Sequence, residues 1–128
     1  MYPKRCLLIE DDEDDKFILM QAIAELFEDV YIRAAYDAEN AFTILLEEKF
    51  LPELIILDIN LPKMNGLECL QRLREFSETR HIPVVIYSTS VEGINRTGFD
   101  MLKIHKVVKK PDTFDGILKE VDSIFRTI

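Results

Sequence analysis

Tryptophan is absent from the chain, and only two cysteines occur. Cys6 and Cys69 lie far apart, with no CxxC spacing and no adjacent histidine. That pattern excludes a disulfide framework and a thiolate zinc site, and it makes a reducing cytoplasm the expected location. Basic charge is also in deficit: sixteen Lys and Arg face twenty-four Asp and Glu, for a net charge of −8. So acidic a chain is not expected to hold a nucleic-acid backbone or an anionic membrane by itself. No apolar run approaches the length of a membrane span. The start, Met1 to Glu10, carries too short an apolar stretch for a secretory signal, and acids follow at once. Internal repeats, low-complexity segments and linkers are missing as well.

What remains is 48% apolar and 31% charged residues over 128 positions. Those values describe a packed core under a solvated surface, not a disordered chain. The length fits one domain, residues 1–128, with no effector domain expected. Apolar segments of two kinds alternate along it. Short runs occupy Cys6 to Ile9, Val30 to Ala34, Leu54 to Leu57, Val84 to Tyr87, and Val107 with Val108. They are too short for helices and most are rich in Val, Ile and Leu, so they are predicted strands. Between them lie stretches of helical period. Ala38, Ala41, Phe42, Leu45 and Leu46 share a face in 38–49, and Phe114, Ile117, Leu118, Val121, Ile124, Phe125 and Ile128 form a stripe in 112–128. Asp37 and Asp112 are the predicted N-caps. Segments 13–28 and 66–76 carry similar inner faces, and a fourth helix over 91–103 is interrupted by Gly93, Asn95 and Gly98.

Strand and helix thus alternate five times. That pattern requires a parallel sheet covered by helices on both faces. The runs near 6, 54 and 84 are almost wholly apolar and belong at its centre. The second and fifth strands belong at its edges.

In such a sheet the site lies beyond the carboxyl ends of the strands. Glu10, Asp11 and Asp12 follow the first strand and Asp58 the third. Ser88 and Thr89 follow the fourth, and Lys110 and Pro111 the fifth. Carboxylates, a hydroxyl and an ammonium scattered over a hundred residues therefore converge on one rim. Clustered carboxylates repel one another unless a cation sits among them. Oxygen ligands without His or Cys suit a hard ion such as Mg²⁺. A carboxylate beside the ion can attack phosphorus and form an acyl phosphate, whose charge then needs donors such as Ser88 and Lys110. A plainer account exists for each residue alone: Glu10 or Asp12 can cap a helix, and a lysine is usually a surface group. Coincidence on one rim is what sets the group apart. The run Asp11 to Asp15 does not make an EF-hand loop, because Lys16 stands where Gly is required. Asp14 and Asp15 are predicted to be the acidic first turn of a helix.

Four segments carry a resemblance. Leu7 to Asp12, Leu57 to Gly66, Pro83 to Ser88 and Val108 to Pro111 resemble, in order and in strand context, the CheY-like receiver domain of two-component response regulators. The resemblance spans essentially the whole chain and implies a flavodoxin-like (βα)5 doubly wound sheet of strand order 2-1-3-4-5. It also implies that Asp58 is the phosphoacceptor for a histidine kinase or phosphotransfer protein. By the same resemblance, the Mg²⁺ ligands are Asp11, Glu10 through water, Asp58 and the backbone carbonyl of Asn60. Ser88 matches the switch hydroxyl, and Lys110 the lysine that contacts the phosphoryl group. The bond before Pro111 is expected to be cis, and Gly66 is expected in a backbone conformation that few other residues tolerate.

The chain departs from that pattern at Val107, where an aromatic switch residue is usual, and at Thr89, where a small residue is usual. The implied function is a stand-alone receiver, not a turnover enzyme, that signals by protein binding or phosphorelay. Its downstream partner is expected on the face built by the fourth helix, fifth strand and fifth helix, around Glu92, Lys103, Lys106 and Lys109. Two other classes compete. A phosphohydrolase working through an aspartyl phosphate places a DxD motif after its first strand, whereas here Asp58 follows the third strand and Asn60 stands in place of the second acid. A degenerate receiver used as a scaffold without phosphorylation is at odds with Asp58, Ser88 and Lys110, and only Val107 speaks for it.

Overall fold

The computed structural model describes residues 1–91 and 102–128. Five strands form one parallel sheet: β1 (Arg5–Ile9), β2 (Tyr31–Ala35), β3 (Leu54–Leu57), β4 (Val84–Ser88) and β5 (Ile104–Lys109). Their order is β2-β1-β3-β4-β5, as the resemblance implies. The helices are α1 (Glu13–Leu26), α2 (Ala38–Phe42), α3 (Gly66–Glu75) and a C-terminal α4 (Phe114–Thr127). The predicted helix over 91–103 falls almost wholly outside the described residues.

Alternation of side chains across the pleat divides the core in two. Leu7 and Ile9 of β1, Ile55 and Leu57 of β3, and Val84 and Ile86 of β4 pack against α2 and α3. Cys6 and Leu8, Leu54 and Ile56, and Val85 and Tyr87 pack on the other face against α1 and α4. There Phe27 stacks on Phe125 with ring centroids 5.1 Å apart. The three central strands bury nearly every residue, and the two edges alternate or stay half-exposed.

Helix starts follow the capping residues. The side chains of Asp12, Asp37 and Asn65 accept from the N–H groups of Asp15, Asn40 and Glu68. At α4 the cap is Thr113, which accepts from Gly116 N at 3.0 Å, not the predicted Asp112. Thr113 holds the extended backbone that an N-cap needs and lies three residues before the N–H it satisfies. The helix predicted over 38–49 is shorter, because after Phe42 it widens into a π turn (Thr43–Glu47). That turn rotates Ile44 into the core beside Leu45.

β5 has six residues where the sequence pattern marked only Val107 and Val108. Its register against β4 slips between Val84 and Val85: Val84 faces Ile104, whereas Val85 faces Lys106. His105 is therefore the extra residue of a β-bulge. Both His105 and Lys106 reach α4, through Thr127 at 3.0 Å and Ser123 at 3.0 Å. The bulge breaks the period of two, and that hid the strand.

Candidate functional site

β1, β3, β4 and β5 end side by side; β1 delivers Glu10 and Asp11 to the rim, and each of the others one polar group. Asp58 leaves β3 with its N–H on the Ile9 carbonyl, 3.0 Å away. Lys110 leaves β5 with its N–H on the Ser88 carbonyl, 2.9 Å away. Main-chain bonds of the sheet thus hold the four chain segments in place before any side chain is considered.

Asp58 is the hub. Its Oδ1 accepts from the Ser88 hydroxyl at 2.8 Å and from the Asn60 N–H at 2.9 Å. Its Oδ2 accepts from Lys110 Nζ at 3.0 Å. The same ammonium donates to Glu10 Oε1 at 2.5 Å and to Asp15 Oδ2 at 2.8 Å. Asn60 Nδ2 in turn donates to the Ser88 oxygen at 3.0 Å. Glu10, Asp58 and Ser88 are buried, at 2%, 5% and 0% exposure, so these polar groups depend on one another and not on water. Carboxylate oxygens of Glu10, Asp11 and Asp58 lie within 4.8 Å of one another, and Asp11 is the exposed member.

The charges are unequal partners. Burial raises the Glu10 carboxyl to about 7; Asp58 beside it adds to the rise and Lys110 opposes it. Burial also disfavours the Asp58 charge. The Asn60 N–H, Glu10, the Ser88 hydroxyl and Lys110 outweigh that effect and hold Asp58 below the usual carboxyl value. Lys110 loses something to burial but is pushed up by its three carboxylates. In the metal-free state Asp58 is therefore the ionised carboxylate and Glu10 the one that retains a proton near neutrality.

Glu10, Asp11, Asp58, Ser88 and Lys110 are brought together as the sequence predicts. Asp15 was missed. Its position in the acidic first turn of α1 explained it fully as a dipole partner, yet the N-cap at Asp12 turns the helix so that Asp15 reaches Lys110. Two further expectations are corrected. No peptide bond among the described residues is cis, so Lys110 and Pro111 are joined in trans, the more stable form of an X-Pro bond. Gly66 is not in the left-handed region, and Lys63, with φ 65°, takes that role in the turn. Glycine is needed at 66 for space: a Cβ there would lie 2.6 Å from both the Asp58 carbonyl oxygen and Ile59 Cα.

A parallel sheet of this order with a carboxylate-lysine-hydroxyl rim defines the class: a receiver-type α/β domain. Residues 6–122 match the family model of the response regulator receiver domain, and the chain belongs to that family. Among curated proteins it is 29% identical over 122 residues to the probable methanogenesis regulatory protein FilR2 of Methanothrix harundinacea, covering 92% of this chain and 79% of that one. It spans 63% and 64% of the length of two further curated relatives. Among solved structures, the phosphorylated cyanobacterial phytochrome response regulator RcpA superposes with a TM-score of 0.84 at 26% identity, covering 94% of this chain and 90% of that one. The Mn²⁺-bound form of response regulator Rcp1 gives 0.83 at 28% identity, covering 95% and 91%. The protein is thus a phosphoaccepting receiver of two-component signalling, a class of signalling modules that bind a divalent metal and interact with kinases, phosphotransfer proteins and downstream partners. Among the described residues no helix is long and apolar enough to cross a membrane.

Proposed function

We propose that Asp58 is the phosphoacceptor, that Glu10, Asp11, Asp58 and the Asn60 carbonyl hold Mg²⁺, and that the domain acts in the cytoplasm. The observation that carries this reading is the environment of Asp58. Among the described residues it is the one buried carboxylate held ionised, and donors already surround both of its oxygens. A Cys-free and His-free set of carboxylate oxygens within 4.8 Å suits a hard divalent ion. When bound, Mg²⁺ neutralises charge on the carboxylates and on the incoming phosphoryl oxygens.

The chain's own residues do the rest. An Asp58 oxygen attacks the phosphorus of a phosphohistidine on a kinase or phosphotransfer protein. The P–N bond breaks, the imidazole leaves with its electron pair, and an aspartyl phosphate forms. Ser88 and Lys110 exchange a carboxylate oxygen for phosphoryl oxygens as acceptors, so the donors need little reorganisation. Asp15 and Glu10 keep the ammonium over the site during that exchange. Phosphorylation then shifts the population toward a state in which Ser88 has turned and β5 and α4 present an altered face. The downstream partner binds there, near Lys103, Lys106 and Lys109. Glu92, part of the same expectation, lies outside the described residues. Val107, half-buried against the α2–α3 side of the core, cannot make the readout of an aromatic ring.

Intact mass after incubation with acetyl phosphate and Mg²⁺ tests this. Gain of one phosphoryl group, absent in Asp58→Asn and without metal, is the expected result. No gain from either acetyl phosphate or a cognate kinase would overturn it and leave the scaffold reading.

A further inference from the structure

At the opposite end of the sheet, where β4 and β5 begin, the surface opens into a cleft of about 670 Å³. Arg74, Arg80, His81, Lys103 and His105 line it. Ile82 and Pro83 supply its apolar part, and no carboxylate lines it among the described residues. Both histidines of the chain are there, in a protein whose net charge is −8. Such a concentration of one sign against the sign of the whole molecule is a local field, not a by-product of composition.

Arg74 is the frame of the cleft. Its guanidinium donates to the carbonyls of Leu102 at 2.8 Å, Ile82 at 2.8 Å and Arg80 at 3.1 Å. It also reaches Lys103 O at 3.3 Å and Thr79 O at 3.5 Å. One side chain thereby ties the segment before β4 to the segment before β5 and occupies the carbonyl oxygens that would otherwise repel an anion. Arg80, His81 and Lys103 are exposed, and none pairs with a carboxylate among the described residues. His105 has one ring nitrogen engaged by Thr127. Lys103 sits at φ 56°, a conformation rarely taken by a residue with a side chain. Donors are left over, and the backbone that carries them is fixed from beneath.

We propose that this cleft is an anion-binding site, distinct from the phosphorylation site, that takes a small, multiply charged anion of the oligophosphate class. Guanidinium and ammonium groups together suit phosphoryl oxygens. The volume lies within the roughly 300–1,000 Å³ usual for small-ligand pockets. A long polyanion would meet the repulsion of the remaining acidic surface, whereas a compact one stays inside the local positive field.

Titration with inorganic tripolyphosphate tests this, on the full chain, in EDTA at low ionic strength, followed by backbone amide NMR and calorimetry. Saturable shifts confined to 80–82 and 103–105 are expected, with one anion per chain. Affinity should fall about tenfold or more in the double variant Arg80→Glu, Lys103→Glu, whose fold the same spectrum reports. It should be unchanged in Lys110→Ala. Absence of saturable shifts, equal affinity in the double variant, or shifts centred on residues 58, 88 and 110 would overturn the proposal. Tighter saturation of the same amides by hexaglutamate would overturn the ligand class.

Discussion

Replacing Gly66 by alanine sets helix propensity against space, and the two effects differ in sign. In the first turn of α3, alanine should be the better helix former by about 0.5–1 kcal/mol. Against that, the new Cβ meets the Asp58 oxygen and Ile59 Cα at 2.6 Å and the Asp58 carbonyl carbon at 3.2 Å. These are main-chain atoms and cannot swing aside. The Asp58 N–H is fixed to Ile9 O at 3.0 Å, and the Gly66 N–H to Ile59 O at 2.8 Å. Relief requires α3 to lift from Leu57 and Ile55 or the 58–60 turn to shift. Overpacking of this kind costs about 1–3 kcal/mol. The net expectation is a loss centred near 1 kcal/mol, within about 0–2.5 kcal/mol, after the propensity gain is set against it. Urea unfolding of the metal-free protein reads it directly, and labelling by acetyl phosphate should slow because Asp58 and Asn60 move together. A Gly66→Ala variant more stable than wild type would refute the close-approach argument.

Three further outcomes follow from the same geometry. Without metal, the folded state keeps a proton on Glu10 up to about pH 7, whereas an ordinary glutamate releases it near 4.5. The folded form binds more protons, so stability should fall as pH rises across that window; the lowered Asp58 acts in reverse, and its contribution is lost only on stronger acidification. Thermal midpoints in EDTA should show the decline, and saturating Mg²⁺ should reduce it, since ligation favours the ionised carboxyl; a flat profile in EDTA counts against a protonated Glu10. Arg74→Lys should cost about 2–3 kcal/mol despite keeping the charge, because an ammonium cannot fork to carbonyls on two segments; chemical denaturation measures it, and a loss under half a kilocalorie would contradict the framing role. Asp12→Ala should cost about 1 kcal/mol through the lost cap on Asp15 N, visible in the same assay.

Most of the rim was legible in the sequence because strand ends are easy to locate in apolar runs such as Leu54 to Leu57, and topology then gathers whatever follows them. Asp58, Ser88 and Lys110 needed no side-chain geometry to be found. Asp15 escaped because a sufficient local explanation, the helix dipole, masked a tertiary one. The reason for Gly66 escaped because sequence shows a missing side chain but not the backbone pressed against it. His105 and the π turn after Phe42 share a cause: each inserts a residue into a periodic element, and pattern reading assumes an unbroken period.

The bulge at His105 has a consequence for how the chain tolerates change. Lys110 takes its place from pairings downstream of the bulge, Val107 with Ile86, Val108 with Tyr87 and Lys109 with Ser88. Upstream, only Ile104 is registered, against Val84. The extra residue works as an expansion joint: a change of length before it alters the slack and not the alignment that follows. A change of length just before the bulge is therefore expected to leave the ammonium docked on Asp58.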